Sequence, residues 1–367
     1  MDVLNDNDIG GFCNLKKEEL NEQADHISAL QSWGPEIRHF SSFNYRPINN
    51  GNCDVIIEKP TYVMKIDATV NMYHHFCDFF NLYSSLHMNN HSDAFSSDVR
   101  VLIWESYTYQ SLFRDTWEAF TDHPLWDLNT FRGQTICFKN VIFPLLPRMI
   151  FGLYYNTPLI YGCQKSGLFH AFSKFILHRL RISKYVRTNK KIRITFLSRD
   201  TKYRRIINED ELLESINDNE DYQVMKVVFN KNIPFKKQLE ITANSDVLIG
   251  IHGAGLTHLL FLPDWAAVFE LYNCEDANCY ADLARLRGVH YVTWNKINKL
   301  TSVKEDMYNG GAHAKFANYV FDVEEFKRLL KNATDYVKKH PEFISLKITK
   351  NNDNMGSKNY HTLHEEL

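Results

Sequence analysis

The sequence predicts an α/β protein built as two doubly wound domains facing across a cleft. Short apolar runs rich in β-branched residues alternate with longer segments of helical apolar spacing, the pattern of parallel sheets covered on both faces. The alternation comes in two blocks joined by a basic stretch at 183–190, and a strand–glycine turn–helix unit sits in the second block. In the first block the strands are expected at 62–66, 99–104 and 136–143, each short and apolar. Helices are expected between them at 72–88 and 112–120, followed by an amphipathic helix at 167–181. The second block reads as strand 191–197, helix 210–216, strand 223–228, helix 234–242, strand 247–251, a helix starting near 256, and a strand ending at Glu270. The implied division is an N-terminal extension at 1–30, domains at 31–183 and 184–340, and a tail at 341–367.

The unit around 246–270 is an anion cradle in outline. Val247 to Ile251 suits a strand buried on both faces, and Gly253 and Gly255 let backbone N–H groups approach a ligand. A helix beginning near Leu256, just after Ala254, would aim its positive end at a phosphate. His252, Thr257 and His258 flank the turn, which marks it as a site rather than a plain strand-to-helix corner. Arg199 and Arg204 follow the first strand of the same block, where guanidinium groups bind a diphosphate in a bidentate manner. Glu270, at the end of the next strand, is placed to accept hydrogen bonds from ribose hydroxyls.

In the first block, Asp67, Asn71, His74, His75 and Asp78 crowd one helix start. Asn71, His74 and Asp78 recur at helical spacing and share a face, so a His–Asp pair there is a candidate general base, with Asp67 a nearby rival. Asn71 as a helix cap and a histidine as a satisfied core residue are the plain alternatives. Adjacent His74 and His75 point about 100° apart on a helix and make a poor metal chelate; no metal is expected.

A formal net charge of −2 and a hydrophobic fraction of 44% exclude a global field for nucleic acid and indicate a folded chain. The apolar runs are too short for a membrane span. His364-Glu365-Glu366-Leu367 resembles an endoplasmic-reticulum retrieval tetrapeptide, and Asn90 and Asn332 head N-glycosylation sequons. With that tail, the start at Met1 reads as an incomplete N-terminus lacking a leader. Of seven cysteines, Cys274 and Cys279 lie close together in a polar loop and are a candidate disulfide in an oxidising lumen.

The blocks Met64-Lys-Ile-Asp67-Ala-Thr-Val-Asn71-Met-Tyr-His74-His75-Phe-Cys77-Asp78-Phe, Leu145-Leu-Pro-Arg148-Met, Tyr155-Asn-Thr-Pro-Leu159 and 250–274 resemble the EGF-domain-directed O-linked N-acetylglucosamine transferases of glycosyltransferase family 61. The resemblance spans roughly 31–340 and is most specific over 249–276 and 282–290. It implies two Rossmann-like domains of GT-B type and an inverting transfer of N-acetylglucosamine from UDP-GlcNAc to Ser or Thr of folded EGF-like domains in the lumen. It also implies that EGF-repeat proteins, secreted or membrane-bound, are the partners. His74, Asp78 or Asp67 would take the acceptor proton beside Asn71; Arg199, Arg204 and the 252–258 turn would hold the donor diphosphate, with Glu270 toward the ribose. Relatives can carry an Asp-x-Asp triplet where this chain reads Thr121-Asp122-His123-Pro124, so divalent metal is not expected. Competing expectations are the same donor with another glycan or protein acceptor, and a non-catalytic lumenal binding protein.

Overall fold

The computed structural model describes residues 8–24, 30–88, 96–149, 152–154, 161–162, 165–303 and 314–346. The chain divides into two compact units, Met1–Tyr161 and Gly162–Leu367. The division falls at 161/162 rather than 183/184, because the 167–179 helix buries Phe169, Phe172 and Ile176 within the second unit.

The first unit is organised on a four-stranded parallel sheet of β1 (Thr61–Met64), β2 (Arg100–Ile103), β3 (Trp126–Asp127) and β4 (Val141–Ile142), in the order β3-β2-β1-β4. Between β1 and β2 runs α1 (Met72–Met88), with the bounds its spacing predicts. Its phenylalanines Phe76, Phe79 and Phe80 are wholly buried. Phe79 sets its ring edge-on to Trp117 at 4.8 Å and stacks on Phe120 at 5.9 Å. The segment expected as an α-helix at 112–120 is instead a 3₁₀ helix, Arg114–Ala119.

The apolar run 136–143 is two strands, not one. Ile136–Phe138 pairs with Val55–Ile57 in a separate two-stranded parallel sheet, and only Val141–Ile142 joins β1. The cause lies opposite: Pro60 separates the two partner strands and has no N–H to continue a ladder. The same two-stranded pairing forms a disulfide between Cys53 and Cys137, whose Cα atoms are 5.7 Å apart across a sequence separation of 84. The expected Cys274–Cys279 bridge is not formed. Cys274 is buried on left-handed backbone, φ 51°, with its sulfur toward the Tyr272 carbonyl, while Cys279 opens a helix. Strand pairing, rather than closeness in sequence, selects the bonded cysteines.

The second unit begins with α2 (Gly167–Arg179) and then alternates β5 (Ile192–Leu197), α3 (Glu209–Asn217), β6 (Tyr222–Val227), α4 (Phe235–Ala243), β7 (Val247–Gly250), the 3₁₀ helix Ala254–Phe261, β8 (Ala267–Glu270), α5 (Cys279–Arg287) and β9 (His290–Thr293). All five strands are parallel, ordered β6-β5-β7-β8-β9. This is the doubly wound order whose topological switch lies between the first and third strands, here β5 and β7. An antiparallel pair, β10 (Leu300–Val303) with β11 (Asn318–Phe321), and the helix α6 (Val323–Lys339) complete it. β7 and β8 are buried along their whole length, and Phe326 of α6 reaches Phe269 of β8 at 5.9 Å. Asp322 caps α6 by accepting from the Glu325 N–H at 2.8 Å. No described helix is long and apolar enough to cross a membrane.

Removing the Cys53–Cys137 link frees the two-stranded sheet of the first unit, and Cys53→Ser is expected to destabilise that unit by about 2–4 kcal/mol. Urea unfolding of wild type and variant, each with and without reductant, measures it. Equal midpoints under all four conditions would show that the link carries no stability.

Candidate active site

In the second unit, the ends of β5 and β7 bring two arginines onto the glycine turn. Arg199 Nη1 approaches the His252 carbonyl oxygen at 3.5 Å and Arg204 Nη1 donates to the same oxygen at 3.2 Å. Gly253 has φ 152°, and a Cβ there would stand 2.2 Å from Arg199 Nη1. Only glycine permits this approach. At Gly255 a Cβ would meet Leu197 Cδ2 at 2.8 Å, so both glycines serve close contact between β5 and the turn. Neither guanidinium has an acidic partner among the described residues; Arg199 also donates to Thr201 Oγ1 at 3.1 and 3.2 Å, and Arg204 Nε is buried without a partner. Burial, and then the neighbouring charge of Arg204, lower the Arg199 pKa to about 10. Two partly desolvated, unneutralised cations beside backbone N–H groups at a topological switch point make an anion site.

His252 and Glu270 sit behind this turn. His252 Nδ1 meets Glu270 Oε1 at 2.8 Å, and the Tyr291 hydroxyl donates to Glu270 Oε2. The carboxyl is fully buried, and burial raises its pKa above the usual range in spite of both donors. Glu270 therefore spends its oxygens on His252 and Tyr291, where the sequence suggested ribose hydroxyls. His258 is a core residue: Nδ1 is 2.8 Å from the Gly255 carbonyl, Nε2 is 3.1 Å from Gln238 Oε1, and the ring lies 4.4 Å from Phe229. Leu256 and Thr257 are likewise buried, and Ala254 and Gly255 are the half-buried backbone of the turn.

In the first unit the cluster sorts itself differently from its helical spacing. His74 Nδ1 meets Asp67 Oδ2 at 3.0 Å, and Arg148 Nε donates to Asp67 Oδ2 at 2.7 Å while Arg148 Nη2 donates to Oδ1 at 3.1 Å. Burial would raise the Asp67 pKa, but the hydrogen bonds from His74 and Arg148 outweigh it and the carboxylate is stabilised. Asp78 does not pair with His74. It is fully buried, takes both oxygens to 3.3 Å of the Asp67 N–H, and meets His75 Nδ1 at 2.9 Å. His75 Nε2 continues the chain to the Tyr109 hydroxyl at 2.5 Å. Burial pushes His75 down to about 3 and Asp78 well above the carboxylate range, so this pair is neutral and internal. Asn71 accepts from the Tyr73 N–H at 3.1 Å and caps α1.

Sequence reasoning singled out neither Arg148, Tyr109 nor Tyr291 as site residues; Arg148 had a signal, its place in a Leu-Pro-Arg block. Asp122 lies against Ser97, and His123 against Asp98 at 2.6 Å. Among the described residues, no group of three His, Cys, Asp or Glu is placed to hold a metal ion. Asn332 is exposed on α6, while Asn90 and the 364–367 tail lie outside the described residues.

The family described as Glycosyltransferase 61 matches residues 72–269, from the start of α1 to β8, which is more than half of the chain. The chain belongs to that family. A relative named EGF domain-specific O-linked N-acetylglucosamine transferase from Drosophila melanogaster is 57% identical over 346 residues, covering 94% of this chain and 66% of the relative. Relatives of the same name from Bos taurus and Xenopus laevis are each 52% identical over 346 residues, covering 93% of this chain and 65% of their own length. The chain thus spans just under two thirds of these curated relatives.

The His258 environment makes the second unit sensitive to acid. Burial lowers the folded-state pKa from 6.5 to about 4. Its contribution is complete above 6.5 and is lost as pH falls toward 4, at about 1.4 kcal/mol per pH unit. Urea unfolding at pH 7, 6 and 5 should show a shallower pH dependence in His258→Gln than in wild type. Identical slopes would refute a buried neutral imidazole.

Proposed function

We propose that this chain is an inverting glycosyltransferase that moves N-acetylglucosamine from UDP-GlcNAc to Ser or Thr of folded EGF-like domains in the lumen of the endoplasmic reticulum. The observation that carries the donor half is the convergence of Arg199 and Arg204 on the His252 carbonyl above Gly253, with no salt bridge to either guanidinium among the described residues. The acceptor half rests on the names borne by relatives more than half identical to this chain. Two Rossmann-like domains of GT-B type belong to the same reading. The compartment is proposed from the His364–Leu367 tetrapeptide, with which a structural disulfide agrees.

In this reading the acceptor hydroxyl oxygen bonds to the anomeric carbon while the bond to the β-phosphate oxygen breaks. UDP leaves with the electron pair, and a single displacement inverts the carbon. Arg199, Arg204 and the N–H groups of the 253–255 turn take up the developing charge, which is how such a site works without a metal ion. Asp67 holds His74 at Nδ1, so the imidazole accepts the hydroxyl proton at Nε2, a division of labour shared by His–Asp pairs in general. Arg148 keeps Asp67 ionised. Glu270 and Tyr291 orient His252 rather than touching the sugar nucleotide.

Intact-mass spectrometry of a folded EGF-like domain incubated with the chain and UDP-GlcNAc tests this. A gain of one N-acetylhexosamine, unchanged by EDTA, is expected. His74→Ala should lower turnover about 10²–10⁴-fold with UDP affinity retained, whereas Arg199→Ala should lose UDP affinity first. A folded chain that binds UDP but leaves the domain unmodified would sink the acceptor assignment, and loss of transfer in EDTA would sink metal independence.

A further inference from the structure

Away from the glycine turn, α6 carries the sequon Asn332-Ala333-Thr334, and the fold treats its two ends in opposite ways. Residues two apart on a helix stand about 200° apart around its axis, so one end of the sequon faces the core when the other faces solvent. Thr334 is the inner end. It is 1% exposed, its Oγ1 lies 3.2 Å from the Tyr222 hydroxyl of β6 and donates to the Lys331 carbonyl at 3.2 Å, and Ala333 beside it is fully buried. Asn332 is the outer end and is exposed. Its Oδ1 is 3.2 Å from His290 Nε2, and that imidazole is stacked on Tyr336, one turn along α6, with centroids 4.2 Å apart and planes 10° from parallel. An amide oxygen only accepts, so the imidazole donates and the oxygen is turned toward the protein. The amide nitrogen Nδ2 is left without a hydrogen-bond partner among the described residues. The charged neighbours on the helix are spent on one another, Lys331 on Asp335 and Arg328 on Glu325.

We propose that Asn332 carries an N-linked glycan, added before α6 forms and not afterwards. The proposal rests on the reading of a lumenal protein, because the reaction needs a lumenal oligosaccharyltransferase and its donor, an oligosaccharide on a polyprenyl diphosphate. Nδ2 bonds to the anomeric carbon of the innermost N-acetylglucosamine, the bond from that carbon to the phosphate oxygen breaks with its electron pair on the departing diphosphate, and Nδ2 gives one proton to the transferase. The sequon is read through its amide and its hydroxyl together. An extended chain presents both on one face, since its side chains alternate with a period of two; the folded helix sets them on opposite sides and buries the hydroxyl. The product nevertheless fits the fold, because Oδ1 keeps His290 and the glycan leaves from Nδ2 toward solvent. The native structure thus accommodates the modification while forbidding the step that makes it.

Two measurements test this. The chain is expressed behind a secretory leader in insect cells and treated with peptide N-glycosidase in heavy-oxygen water, which turns a glycosylated asparagine into labelled aspartate. Mass spectrometry of the tryptic peptide 332–338 is expected to find the label at position 332. The unmodified chain, made in bacteria and shown to be folded by its melting curve, is then offered to purified oligosaccharyltransferase with its lipid-linked donor, beside a synthetic peptide of residues 327–338. Transfer to the peptide and loss of transfer to position 332 of the folded chain are expected. An unlabelled position 332 in the leader-directed chain overturns the site, and a folded chain modified as fast as the peptide overturns the order of events. Label in the leader-directed chain but not in the protein isolated from its own cells would overturn the lumenal reading and leave the chemistry of the site standing.

Discussion

Two guanidinium groups share one carbonyl oxygen, that of His252, and the second unit is arranged to make that unfavourable neighbourhood possible. Like charges brought together in a partly desolvated place repel more strongly than in water. The turn that accepts them is therefore fixed from three sides. Gly253 gives Arg199 its room; Glu270, itself held by Tyr291, fixes the His252 ring; and Arg287 ties the far end of the 3₁₀ helix by donating to the carbonyls of Leu260 at 2.8 Å and Leu262 at 2.7 Å. Arg287 in turn has Asp264 at 2.8 Å. The buried arginine at the back has its counter-ion, and the two at the front have none among the described residues. A fold that neutralises one cation and leaves two others beside the backbone of the glycine turn has prepared a place for an anion.

The first unit handles charge in the opposite way. His75, Asp78 and Tyr109 form a wholly internal chain in which burial removes charge from both titrating members. A neutral hydrogen-bonded pair avoids the desolvation that an ion pair would suffer in the same position. Asp78 spends its oxygens on the Asp67 N–H, so the internal chain positions the loop that carries Asp67. The charged members, Asp67 and Arg148, lie nearer the surface, with His74 between them in reach of solvent. Polarity thus increases outward along one connected path.

Most of the second unit was legible because its strands are short, apolar and separated by clear helices, and because the glycine turn has one local meaning. The bounds of α1 were legible for the same reason: seventeen residues of apolar spacing between a capping Asn71 and a polar break. What the sequence could not show is whatever depends on the partner. The 136–143 run looks continuous until Pro60, opposite it, divides the ladder. The disulfide joins Cys137, which the ladder sets opposite Ile56, to Cys53 just before the partner strand, an approach that no spacing of cysteines contains. Glu270 reads as a strand-end acid facing a ligand, and only the neighbouring strand, with Tyr291, claims its second oxygen.

The cluster on α1 shows why helical periodicity found the right residues and the wrong pairs. Asn71, His74 and Asp78 do recur on one face, but a face is not a contact. Asn71 turns back to cap its own helix, and Asp78 reaches the loop before the helix as well as one turn back along it. His75, about 100° round the helix from His74, is the histidine that Asp78 meets. His74 is claimed by Asp67, which precedes the helix, and by Arg148, 81 residues beyond Asp67. A guanidinium has donors alone, so Arg148 Nη2, 3.0 Å from His74 Nδ1, cannot hold a proton on that nitrogen. The Asp67 carboxylate can, and Arg148 contributes by keeping that carboxylate ionised. The orientation of the candidate base is thus a tertiary property, set by a loop and a distant arginine, while the helix supplies only the place where the imidazole starts.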